Sequence, residues 1–131
     1  MSRLAALRDG RTAPGAYTWR DTHDLDDVRH AVEVGGGRFA HVAGPAEPTR
    51  RAMHEALAAA LEFPRWYGHN LDALADCLRD VPASTVVLWD GWGDLARDEP
   101  RAFRVAVELL GERLVLLLRG PGPELDLPAL G

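Results

Sequence analysis

An α/β domain with a small parallel sheet is the fold this chain predicts, on three observations. Two unbroken apolar runs, Thr85-Val-Val-Leu-Trp89 and Leu114-Val-Leu-Leu-Leu118, have the composition of parallel strands covered on both faces. Stretches of helical period lie before and between them, and helices alternating with strands build a layered α/β architecture. The length, 131 residues, suits one core and is too short for two independent ones.

Residues 1–15 are polar, carry Gly10, Pro14 and Gly15, and are expected to lack regular structure. Ala16-Tyr-Thr-Trp19 reads as a short strand. Residues 24–33, with Leu25, Val28 and Val32 on one face, read as a short helix ended by Gly35-Gly-Gly37. This strand and helix form an N-terminal elaboration, residues 16–37, of a single domain spanning 16–119. The glycine run is no phosphate loop, because such a loop follows a strand and opens a helix. Here a helix precedes it and the strand Arg38-Phe-Ala-His-Val42 follows.

Pro45 and Pro48 lead into a helix over 49–61, whose Met53, Ala56, Leu57, Ala60 and Leu61 make a plain core stripe. A further helix over 70–80 buries Leu71, Leu74, Leu78 and Val81. It starts at Asn70, whose side chain caps the end by accepting from a free backbone N–H. The helix between the two apolar strands has Pro100 near its start and Gly111 near its end, with Phe103, Ala106, Val107 and Leu110 facing the sheet. Residues 120–131 form a Pro- and Gly-rich tail.

Composition narrows the function classes. Fifteen basic residues, all arginine, stand against 20 acidic ones for a net charge of −5. Nucleic-acid binders carry a basic patch, so no direct nucleic-acid partner is expected; an acidic face instead steers a basic partner. No apolar run approaches the ~18 residues of a membrane span, and Met-Ser-Arg-Leu-Ala-Ala-Leu-Arg-Asp-Gly is too charged for a secretory leader. These readings predict a cytoplasmic protein. The lone Cys77 excludes an internal disulfide and reads as a buried reduced thiol. The five histidines include no His-x-x-x-His pair, so neither metal nor cofactor is expected. Asp90 and Asp94, after the first apolar strand, sit where α/β sheets often bind ligands and offer an alternative: a small Mg²⁺-dependent, phosphate-handling enzyme. The plainer reading there is a turn and a helix cap.

The most informative segment is Phe63-Pro-Arg-Trp-Tyr-Gly-His-Asn-Leu-Asp-Ala-Leu-Ala-Asp-Cys-Leu78. It runs an aromatic loop into the helix capped by Asn70. At 3.6 residues per turn Asp72 and Asp76 are neighbours on the side away from the apolar stripe, with Trp66, Tyr67 and Gly68 in the loop at their N-terminal end. Two aspartates so placed repel by ~0.2–0.5 kcal/mol on an isolated helix. The helix dipole favours Asp72, but Asp76 lies a turn further in. A surface built for a partner explains that arrangement; a solvated face with Arg79 neutralising Asp76 is the plainer account.

This segment resembles the barstar family, intracellular inhibitors of secreted guanyl-specific ribonucleases, whose members carry a similar aromatic-Tyr-Gly-x-Asn-Leu-Asp-x-Leu-x-Asp-Cys-Leu run. A looser likeness covers residues 38–119 as strand, helix, loop, helix, strand, helix, strand. The resemblance implies no catalysis and a protein partner, a secreted or toxin bacterial ribonuclease, bound one to one by a monomer. It implies that Asp76 occupies the enzyme's phosphate site, that Asp72 supports it, and that Trp66 lies over the active site. Gly68 and Asn70 resemble loop contacts, and Arg65, Tyr67 and His69 join the expected contact set. The chain departs from the family at Ala75 and Val81, where barstar has tryptophans. Glu108 matches the family's late glutamate only after a two-residue shift, because ungapped alignment places Ala106 there. A barstar-like module with a non-nuclease target is the alternative.

Overall fold

The computed structural model describes residues 3–130; residues 1, 2 and 131, which belong to the expected irregular ends, lie outside it. The elements in order are α1 (Arg3–Asp9), β1 (Gly15–Thr18), α2 (Leu25–Val34), β2 (Arg38–Ala43) and α3 (Arg50–Leu61). There follow α4 (Leu71–Leu78), β3 (Thr85–Asp90), α5 (Gly93–Asp98), α6 (Pro100–Arg113) and β4 (Val115–Arg119). The four strands form one parallel sheet in the order β1-β4-β3-β2, with Val86 opposite Val115 and Arg38 opposite Thr85. The parallel α/β architecture expected of the apolar runs is therefore the one present.

Both faces of the sheet are covered, which is why those runs do not alternate. Val87, Trp89, Leu116 and Leu118 point into one core with Met53, Leu57, Leu74 and Phe103 from the later helices. Leu88, Val115 and Leu117 point into a second core with Val28, Ala31 and Val32 of α2 and Leu4 and Leu7 of α1. Among the described residues no helix is long and apolar enough to cross a membrane.

Two expectations change. Residues 3–9 are helical rather than irregular. Seven residues are too few to hold a helix in water, but Leu4 and Leu7, three apart, are both about 96% buried (4% exposed) in contact with α2. In the N-terminal elaboration, residues 16–37, β1 forms a sheet edge against β4 and α2 lines the second core. Finally, the turn expected after β3 contains α5. Leu95 and Ala96 of α5 are buried, and Trp92 stacks on Phe103 at 5.5 Å. Pro100 separates α5 from α6: the residue before a proline is pushed out of the helical region, and Glu99 stands at φ −129°, ψ 61°.

Residues 120–130 make no helix or strand, yet the segment is tethered. Thr18 donates its N–H to Pro128 O and accepts from the N–H of Leu130, both at 2.9 Å.

Candidate functional site

Asn70 fixes the junction between loop and helix. Its Oδ1 accepts from the N–H of Ala73 at 2.8 Å and its Nδ2 donates to Gly68 O at 3.1 Å, so one side chain closes the helix end and holds the loop before it. His69, between them, takes the left-handed conformation at φ 50°.

Tyr67 turns the other way from its expected role. It is 4% exposed, shares a 2.6 Å hydrogen bond with Nδ1 of buried His54, and packs against Phe63 and His69 with ring centroids 5.0 and 5.2 Å apart. Burial, helped by the neighbouring Cys77, raises its hydroxyl pKa far above the usual range. Burial also lowers that of His54, assisted by the charges of His69 and Arg50. Tyr67 is thus an anchor inside the molecule and not a contact residue; a polar aromatic with one inward partner gains more from burial than from exposure. Anchoring it throws Trp66 outward, 80% exposed.

On α4 the buried side is Leu74, Cys77 and Leu78, with Leu71 only half-buried. The Cys77 thiol is pushed up, first by burial and then by the charges of Asp80 and Asp76. Asp72 and Asp76 are both exposed. Asp76 lies 3.5 Å from Arg79, its side chain 72% exposed and that of Arg79 75%. A pair that open to water is worth at most ~1 kcal/mol and exchanges readily for another partner.

The expected contact residues divide into two groups around this ridge. Trp66, Gly68 and Asp76 line a groove of about 570 Å³. His69, Asn70 and Asp72 line a separate depression with Arg50, Arg51 and Glu99. Arg65 is exposed and Ala75 half-buried, and neither lines the groove or the depression. Glu108 is exposed on α6 and lines neither; Ala106, its ungapped counterpart, is fully buried. The groove also brings in Glu62, Phe63, Asp80 and Val81, none singled out as contacts from sequence. Asp80 was findable there, since it continues the four-residue spacing of 72 and 76.

Asp90 is committed elsewhere. Its carboxylate accepts from Nε and Nη2 of Arg119 at 2.8 and 2.9 Å and lies 2.8 Å from His41 Nε2. Burial pushes its pKa up, but the hydrogen bonds and charges of Arg119 and His41 outweigh that and hold it below the usual carboxylate range. Arg119 reaches on to Asp21 at 3.3 Å, and Asp21 bonds His23. The network ties the ends of β2, β3 and β4 to the loop after β1. Asp94 pairs instead with Arg97 at 3.2 Å. Both oxygens of Asp90 accept from side chains of the chain itself, so the carboxylate serves to hold the strand ends together. Among the described residues no group of three or more His, Cys, Asp or Glu is placed to hold a metal ion.

Fold and surface together define a parallel-sheet α/β domain presenting a side-chain-capped acidic helix next to an exposed indole. Residues 37–115, more than half of the chain, match the family described as Barstar (barnase inhibitor), and the chain belongs to that family. The matched region runs from the start of β2 to the first residue of β4, leaving α1, β1, α2 and the tail outside it. The family is one of inhibitors rather than enzymes. No curated protein matches the chain.

Proposed function

We propose that this chain is an inhibitor that binds a bacterial guanyl-specific ribonuclease and closes its active site with carboxylates standing in for RNA phosphate. One observation carries the reading: in a barstar-family chain, α4 presents Asp72 and Asp76 to solvent beside Trp66, the most exposed large hydrophobic side chain among the described residues. A ribonuclease site is cationic because it binds a polyanion, so an acid held on a rigid helix meets charges already arranged for it. Asp76 enters the phosphate position and exchanges its weak pair with Arg79 for the enzyme's cations. Asp72 supports it from one turn earlier. Trp66 covers the cleft, while Gly68 and Asn70 hold the backbone that approaches the enzyme. The inhibitor acts in the cytoplasm as an immunity protein, one chain per ribonuclease.

Calorimetric titration against a panel of guanyl-specific ribonucleases tests this. Tight one-to-one binding is expected, and Asp76→Ala, by leaving the enzyme's cations desolvated and unpaired, costs about 2–5 kcal/mol. Binding to none of the panel, or equal affinity of the two chains, contradicts it.

A further inference from the structure

The groove beside α4 has chemistry beyond the two aspartates of the proposed contact. Its lining is apolar at Phe63 and Val81, and the exposed Trp66 borders it. Such a surface alone suits an apolar partner side chain. The rim, however, is acidic: Glu62, Asp76 and Asp80 against Arg38.

Two of those acids are held by the chain's own guanidinium groups, Glu62 by Arg38 at 2.6 Å and Asp76 by Arg79 at 3.5 Å. The third has no such partner. Asp80 stands in the turn after α4, where its backbone N–H donates to Cys77 O at 3.2 Å. Its exposed carboxylate has neither ion pair nor hydrogen bond among the described residues.

An apolar lining, a flat exposed aromatic and an unclaimed carboxylate together suit a long side chain with an aliphatic stem and a planar cation. Arginine meets all three demands: its methylenes cover apolar surface, its guanidinium stacks on an indole, and its fork of N–H donors reaches carboxylates. Lysine ends in a compact, strongly hydrated charge that stacks less well. We propose that the groove between Trp66 and Asp80 is an arginine receptor, taking one arginine side chain from the protein that docks on α4. That the arginine belongs to a ribonuclease rests on the functional reading above; the guanidinium selectivity does not.

The probe is the peptide acetyl-Gly-Arg-Gly-amide, titrated into the full ¹⁵N-labelled chain with the Trp66 indole N–H followed by NMR. A twin peptide with citrulline in place of arginine keeps the shape and loses the charge. The expected result is a saturable Trp66 shift with the arginine peptide and none with its twin. Asp80→Asn weakens the arginine peptide roughly five-fold, the loss of one charge-assisted contact at the surface. Asp98→Asn, a charge removed from the exposed end of α5, changes nothing. Equal shifts with both peptides, shifts with neither, or an unchanged titration in Asp80→Asn overturns the receptor.

The ribonuclease titration separates the two ideas. If Asp80→Asn binds a ribonuclease as tightly as the native chain, the receptor is wrong and the inhibitor reading stands. If no ribonuclease binds and arginine is still distinguished from citrulline, the inhibitor reading falls and the receptor stands.

Discussion

Tyr67 and His54 decide how the loop before α4 faces the outside. Their 2.6 Å bond lies within the first core, His54 only 3% exposed, and the ring of His69 closes over Tyr67. A buried imidazole sharing that bond is stable neutral, and its pKa is lowered from the usual 6.5, first by burial and then by His69 and Arg50. The unfolded chain therefore takes up this proton at higher pH than the folded chain. The contribution to stability is complete above about pH 6.5 and is lost as pH falls from there through the folded value. Urea midpoints are expected to fall between about pH 7 and pH 5, less steeply in His54→Asn. An equal slope in both chains would place the dependence on other groups. None of this was legible locally: the loop sequence shows two adjacent aromatics, and only the partner thirteen positions earlier determines that Tyr67 turns in and Trp66 turns out.

The contact of α1 with α2 depends on two glycines as well as on Leu4 and Leu7. A Cβ on Gly35 would lie 2.2 Å from Leu7 O, and one on Gly10 would lie 2.2 Å from Gly35 O. Gly35 itself has an ordinary φ of −75°, so the constraint is the close approach of the backbones. Gly35→Ala is expected to force the two helices apart and to cost about 1–3 kcal/mol, as overpacking does. A guanidinium midpoint unchanged by that substitution would show that the contact carries no strain. α3, α4 and α6 were readable because each carries its own signal. Thr49 caps α3 by accepting from Ala52, Asn70 caps α4, and Pro100 opens α6. The signal of α1, Leu4 and Leu7, acquires meaning only from α2. Of the groove, Asp80 continues the spacing of 72 and 76, but Glu62 at the end of α3 joins the lining only through the fold.

Across the whole molecule the sheet divides labour between its faces. One face is closed by α1 and α2, outside the family match, and the other carries α3 through α6, with the proposed contact surface on α4. The ends of the strands are locked by the Asp90–Arg119–Asp21 network, whose members lie up to 98 positions apart, so sequence reading left Asp90 open as a ligand. Apolar runs and caps were enough to read the parallel sheet. The motif around Asp76 was enough to read the family. A net charge of −5 favours encounter with a basic partner such as the one proposed, without setting affinity.

Inhibition itself is the central claim, and RNA cleavage by a ribonuclease that binds the chain measures it. Cleavage should fall linearly to zero as the chain is added, ending at one equivalent, and Asp76→Ala should need a large excess for the same effect. A ribonuclease that stays active while saturated with the native chain would contradict the account.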